Sequence, residues 1–120
     1  MSETLKAMQS ADWIENCPAS ITVCDRDGTI VAMNEKAHQT FLKDGGRALI
    51  GRSLYDCHNE ASRAIIRELL AEGKSNSYTI EKNGVKKFIC QCPWWENGKV
   101  AGLVEWSIEI PFEMSHFIRS

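Results

Sequence analysis

Two short stretches concentrate the metal-ligating and nucleophilic side chains of this chain, Cys57-His58 and Cys90-Gln91-Cys92. Together they offer three thiols and an imidazole, a donor set that zinc accepts. Cys90 and Cys92 stand two apart and project from one face if that segment is a strand. Their spacing is tighter than that of structural zinc sites. Cysteine is also a common small core residue, which suits a segment running from Phe88 to Trp94. An accessible thiol of lowered pKa would instead act as a redox sensor. His58 is the best single candidate for a cofactor ligand, to haem iron or zinc; the plainer alternative is that it orders the turn before Asn59. The Cys-x-x-Cys-His pattern of haem attachment is absent. His38 falls on a helix flank and His116 in the C-terminal segment. Glu105 lies in the apolar run Leu103-Val104-Glu105-Trp106-Ser107, where it either meets solvent and a hydrogen-bonded partner or orients a polar ligand. No second carboxylate or histidine stands at a spacing that would make it an acid–base pair. With no Ser–His–Asp order, P-loop or H-E-x-x-H, the expectation is a protein that is not an enzyme.

The chain of 120 residues carries 14 Lys plus Arg and 16 Asp plus Glu, a net charge of −2. Hydrophobic residues make up 43% and charged residues 25%, the balance of a water-soluble globular domain. That length builds one core and is too short for two. No apolar run approaches the roughly 20 residues of a membrane-spanning helix, and the polar start Met1-Ser2-Glu3-Thr4 is not a signal peptide. A pI near 5.9 with dispersed charge offers no face for nucleic acid. The five cysteines are odd in number and irregular in spacing, so they describe no disulfide framework. The reading is a cytoplasmic protein with reduced thiols, no membrane partner and no nucleic-acid partner.

Three dipeptides punctuate the sequence, Asp27-Gly28, Asn83-Gly84 and Asn97-Gly98, each able to supply the positive φ of a hairpin turn. Strand-like segments flank them: Ile21 to Cys24, Thr29 to Met33, Tyr78 to Ile80, Lys87 to Cys92 and Val100 to Ile110. These predict five strands, antiparallel at the three turns. Between Met33 and Tyr78 the period changes to that of helices. Asn34 is a good N-cap for a first helix, with Glu35 in its first turn and Ala37 and Phe41 on one face, ending at Gly45-Gly46. A second helix starts near Asn59 with the stripe Ala61, Ile65 and Leu69, widened by Ile66 and Leu70, and stops at Gly73. Arg63, Arg67, Glu68 and Glu72 fall outside that stripe and should be solvated. The first dozen residues are weakly amphipathic through Leu5, Met8 and Ala11, a helix broken by Cys17-Pro18. The helices must cover one sheet face, leaving the other for the N-terminal helix or a second copy of the chain. Trp94, Trp95 and Trp106 bear on that second face, because Trp94 and Trp95 point in opposite directions while Trp106 shares a side with Val104 and Ile108.

The order ββ, helices, βββ, together with three segments, resembles the PAS sensory domains over roughly Trp13 to Pro111. Ile21-Thr22-Val23-Cys24-Asp25-Arg26-Asp27-Gly28-Thr29-Ile30-Val31-Ala32-Met33-Asn34 resembles the family's opening hairpin with its capping Asn. Leu49-Ile50-Gly51-Arg52-Ser53-Leu54 is similar to the turn that follows its first helices. Trp95 to Gly102, leading to Ile108-Glu109-Ile110, resembles its closing hairpin, with Glu109 where Asp is usual. Asp56-Cys57-His58 with Ser62, and Leu103-Val104-Glu105, resemble the subgroup found beside haemerythrin-like domains and in sensory-box proteins.

The resemblance implies an α+β, PAS-like fold: a five-stranded antiparallel sheet with helices inserted between strands 2 and 3, plus an N-terminal helix. It implies an N-terminal flanking helix over 1–17, a sensory domain over 18–111, and a tail or linker to a missing output domain over 112–120. The function implied is a signal-transduction module that binds a small molecule and relays it through dimerisation or flanking helices. The alternatives are a ligand-free interaction module and a thiol-based redox sensor working through Cys57 or Cys90. Candidate pocket residues are Val23, Met33, Phe41, Leu54, Ile65, Cys90, Cys92 and Trp106, with Cys57 and His58 at the entrance. Light-sensing members bind flavin next to a reactive cysteine, and Leu54 stands at that place here, which argues against flavin photochemistry; haem or a metal through His58 is the other cofactor reading. The partners implied are a second copy of the chain in a homodimer and an output domain or signalling protein such as a histidine kinase or a diguanylate cyclase.

Overall fold

The structure, a computed structural model, describes residues 11–120, so the helix expected around Leu5 and Met8 lies outside the described residues. One short helix, α1 (Asp12–Glu15), precedes strand β1 (Ser20–Asp25) and strand β2 (Ile30–Met33). Helix α2 (Glu35–Thr40), three 3₁₀ turns (Leu42–Asp44, Gly46–Leu49 and Leu54–Cys57) and helix α3 (Glu60–Glu72) follow. Strands β3 (Asn76–Lys82), β4 (Val85–Glu96) and β5 (Lys99–Ile110) complete one antiparallel sheet in the order β2-β1-β5-β4-β3. The expected strand count, the inserted helices and the antiparallel joints are all present. Among the described residues no helix is long and apolar enough to cross a membrane.

Local chemistry accounts for the joints. Asn83-Gly84 and Asn97-Gly98 each place two consecutive residues at positive φ, the geometry that matches the twist of a two-residue hairpin. The first connection differs from that expectation: only Gly28 has positive φ, and Asp25 Oδ1 accepts from the amides of Asp27 and Thr29 at 2.9 and 3.0 Å. An aspartate side chain thus shapes a longer loop. Asn59 caps α3 through Ser62 N, and Gly73 ends it at φ +67.

The core forms two adjoining clusters. Ile30, Met33, Ala37 and Leu49 pack under α2, with Phe41 and Leu54 against them. Cys24, Ile66, Leu69 and Leu103 pack under α3, with Leu54, Tyr55 and Leu70 alongside. Helix α3 is rotated about one residue from the stripe read from sequence. Ile66 and Leu69 are buried, whereas Ala61 and Ile65 are exposed. One residue is about 100° of helix, so Ile66 takes the place that Ile65 was expected to fill. Arg63 is not solvated as expected; its Nε donates to the carbonyls of Tyr55 and His58 at 2.8 and 2.9 Å.

Asn34 joins three elements. Its Oδ1 accepts from Ile21 N and Ala37 N, both at 3.0 Å, and its Nδ2 donates to Ile14 O and Ala19 O at 2.8 and 2.9 Å. Arg47 adds a second tie, pairing with Glu15 and Glu35 and donating to Met33 O. Asn34→Ala removes a cap and leaves buried backbone groups unpaired, and is expected to lower the unfolding free energy by about 2–4 kcal/mol. Asn34→Asp keeps the acceptor and should cost less. Urea titrations of both variants measure this.

Candidate functional site

The sheet has two faces of unexpected character. Cross-strand pairing puts Thr22, Gln91 and Glu105 side by side, and puts Val23 beside Val104, Cys92 beside Val104, and Cys90 beside Trp106. The first set faces the helices and the second faces away, since side chains alternate along each strand. The covered face therefore carries a carboxylate, an amide and a hydroxyl, while the other face, uncovered by the described residues, presents Phe88, Trp106 and Ile108 at its centre.

A cavity of about 50 Å³ lies between that polar row and α3, lined by Thr22, Cys24, Leu54, His58, Ile66, Gln91, Leu103 and Glu105. Asn76 Nδ2 donates to Gln91 Oε1 at 3.3 Å, and Gln91 Nε2 donates to Glu105 Oε1 at 3.4 Å, so a chain of amides points at the carboxylate. The Thr22 hydroxyl is buried with no hydrogen-bond partner among the described residues. His58 Nδ1 lies 2.6 Å from Leu54 O; a carbonyl only accepts, so Nδ1 carries the hydrogen of this bond. Burial pushes the Glu105 carboxyl above its ordinary 4.5, with His58 and Gln91 acting in the opposite direction. Burial likewise pushes the Cys24 thiol up. The site can receive a hydrogen-bond donor at Glu105 and offer or accept one hydrogen at Thr22.

Of the residues singled out from sequence, Leu54 and His58 line this cavity. Met33 and Phe41 belong to the neighbouring cluster under α2. Ile65 is exposed and does not line it. Val23, Cys90, Cys92 and Trp106 do not line it either: all four sit on the uncovered face, a correction that follows from strand parity. For the same reason His58 and the Cys90–Cys92 pair occupy opposite sides of the sheet, so they form no common zinc set. No group of three or more metal-ligating side chains occurs among the described residues. Cys57 lies in the third 3₁₀ turn, and its side chain is outside the described set. His38 is structural, its Nδ1 accepting from Arg47 N at 3.0 Å. Thr22, Cys24, Ile66, Gln91 and Leu103 went unnoticed as site residues. The only signal for the four strand residues among them was that they share parity with Glu105, a carboxylate within the apolar run of β5; Ile66 comes from α3. A porphyrin is far larger than a space of about 50 Å³, so the residues as arranged do not fit haem.

Residues 14–87, well over half of the chain, match the family described as the PAS fold. The chain belongs to the PAS family. No curated protein matches the sequence. Among solved structures, the PAS domain of BvgS from Bordetella pertussis is 20% identical, with a TM-score of 0.63 over 92% of this chain and 88% of that one. The Aer2 receptor of Vibrio cholerae, described as a dual PAS-heme oxygen sensor, is 14% identical, with a TM-score of 0.60 over 78% and 95%. The VqmA dimer of Vibrio cholerae is 16% identical, with a TM-score of 0.65 over 99% of this chain and 58% of that one. A PAS domain is a sensory signalling module; Thr22, Cys24, Leu54, His58 and Ile66 of the cavity lie within the matched residues, and Gln91, Leu103 and Glu105 lie beyond them.

The raised Glu105 pKa means the folded protein holds a proton there more tightly than the unfolded chain does. The stability this group contributes is complete below the ordinary carboxylate value and is lost as pH rises through the folded value. Glu105→Gln stays neutral throughout. Its melting temperature is expected to exceed the parent's at pH 7, and the gap should close below about pH 4. Thermal melts across that range check this, and a gap independent of pH would assign the effect to packing.

Proposed function

We propose that this PAS domain senses a small polar molecule in the cavity beneath α3 and passes its occupancy to a partner through the apolar sheet face and the flanking segments. The observation that carries the reading is the polar row Thr22, Gln91 and Glu105 placed where a packed core would be apolar. Unpaired polar groups in a core cost free energy, and a ligand with matching donors offsets that cost. A space of about 50 Å³ suits a ligand of a few heavy atoms, with Leu54 and His58, on and beside the 3₁₀ turn, as its adjustable wall. Aer2, described as a sensor of oxygen, supports the sensory half of this reading. The role is recognition, not catalysis, in a cytoplasmic setting. The domain over 18–111 would be flanked by an N-terminal helix and by a C-terminal segment that leads to an output partner such as a histidine kinase.

The uncovered face supports dimerisation. Phe88, Trp106 and Ile108 remain 36%, 37% and 40% exposed in the middle of the sheet, a contiguous apolar surface of the kind that marks contact sites. VqmA is described as a dimer. For the thiol-based alternative, burial pushes the Cys92 thiol up, away from the thiolate that such chemistry needs, which leaves Cys57 and Cys90 as its candidates.

Native mass spectrometry of the purified protein is expected to show a bound low-mass species that Glu105→Gln and Thr22→Val lose. Protein at its sequence mass alone, with a melting point that small metabolites leave unmoved, would favour the ligand-free interaction module. For the dimer, Trp106→Arg is expected to convert the sedimenting species to a monomer and leave the far-ultraviolet circular dichroism unchanged. A dimer that persists would place the interface elsewhere.

A further inference from the structure

A second concavity opens on the other side of the Leu54–Cys57 turn. It is a cleft of about 550 Å³ between the C-terminal half of α3 and the tips of the β1–β2 and β4–β5 hairpins. Tyr55, Leu70, Ala71 and Val100 make its floor, and Arg26, Arg67 and Lys99 stand around it with no carboxylate in the lining. In a chain of net charge −2, three cations converging on one apolar floor is a local arrangement and not a by-product of composition.

The donors are only partly used. Arg26 Nε and one Nη donate to Val100 O at 3.1 and 2.7 Å, which fixes the guanidinium, and its remaining N–H groups have no partner among the described residues. Arg67 lies over the Tyr55 ring at 5.3 Å and gives Nη1 to Glu60 at 3.1 Å, keeping its other nitrogens. Lys99 is the cross-strand partner of Glu96, yet no carboxylate lies within ion-pair distance of it among the described residues. Two anchored guanidinium forks and an ammonium suit a tetrahedral anion of more than one charge. A phosphate monoester carries close to two charges at neutral pH. The floor and the volume call for a flat apolar body attached to that anion.

We infer that this cleft is a ligand site separate from the inner cavity, and that it takes a phosphate ester bearing a planar ring system, as in a nucleoside monophosphate. The ring lies on Leu70, Ala71 and Val100, and the phosphate meets Arg26, Arg67 and Lys99. Tyr55 in this floor directly follows Leu54 in the inner cavity, so one 3₁₀ turn forms a wall of both.

The test is a titration of isotopically labelled protein with adenosine monophosphate, followed by amide chemical shifts. Adenosine and inorganic phosphate serve as separate controls. The monophosphate is expected to move the amides of Arg26, Tyr55, Leu70 and Lys99. It should bind at least about ten-fold more tightly than either control and weaken as salt is raised. The double variant Arg67→Gln with Lys99→Gln changes two exposed side chains and should lower that affinity about ten-fold or more. Glu105→Gln should leave it unchanged, which separates this site from the inner cavity. The inference is overturned if the monophosphate moves no amides, if shifts centre on Thr22 and Glu105, or if the double variant binds as the parent does. Adenosine binding equally well removes the role of charge, and phosphate binding equally well removes that of the floor; either result also overturns it.

Discussion

Glu105 lies on β5, the middle strand of the sheet, with α3 across the face it shares with Thr22 and Gln91. A carboxylate in that position loses much of its hydration, and it survives only where other polar groups replace the water. Gln91 from β4 supplies an amide hydrogen from one side, and Asn76 from β3 donates in turn to the Gln91 side-chain oxygen. The helical block cannot close over such a row as it would over leucines. It stands off instead, and the gap it leaves is the cavity. The polar face, the space above it and the raised carboxyl pKa are one fact seen three ways.

The remaining wall is held by bonds from several directions. Leu54 N donates to Gly28 O at 2.8 Å, which joins the turn to the β1–β2 loop. Ser53 caps the turn through Tyr55 N, and Arg63 reaches down from α3 to both Tyr55 O and His58 O. Gly28 has positive φ and lies so close to the Tyr55 ring that a Cβ there would overlap it. The segment is therefore positioned by hairpin, cap and helix together, with few intrinsic helical bonds of its own. A wall of that kind has a defined resting place and a short list of contacts to exchange when it moves.

Two of the hairpin turns, both main helix starts and the end of α3 were legible in the sequence because they depend on neighbours in the chain; α2, expected to reach Gly45-Gly46, ends at Thr40 and gives way to a 3₁₀ turn. Asn-Gly pairs set two turns, and Asn34, Asn59 and Gly73 mark helix ends through contacts no more than four residues away. The face of the sheet was not legible, because it depends on which side the helices land. Both parities of β4 and β5 carry apolar residues: Ile89 and Leu103 on one side, Phe88, Trp106 and Ile108 on the other. Polar residues are ordinarily assigned to water, and that habit turns Val23, Cys90, Cys92 and Trp106 inward. The usual alternation fails here at the site itself. The one-residue error on α3 has a related origin, since Ile65 and Ile66 are equally apolar and only the packing distinguishes them.

The same parity links the two faces. Glu105 and Trp106 are adjacent on β5 and project to opposite sides, and β5 is hydrogen-bonded to β1 and β4 along its length. Such a strand does not rotate alone. In the proposed reading, a force on Glu105 is shared with Thr22 and Gln91 across the sheet and reaches their chain neighbours on the far side, Val23, Cys90 and Cys92. A ligand shifts this equilibrium only by the difference in its affinity for two arrangements. A desolvated carboxylate is the group best able to provide that difference, because the free energy of its contacts changes steeply with distance and with protonation in a poorly hydrated space. An apolar ligand in an apolar cavity of this size would bind either arrangement with little preference. In the proposed reading, the feature that makes this sheet unfavourable as a core is the one that lets it act as a switch.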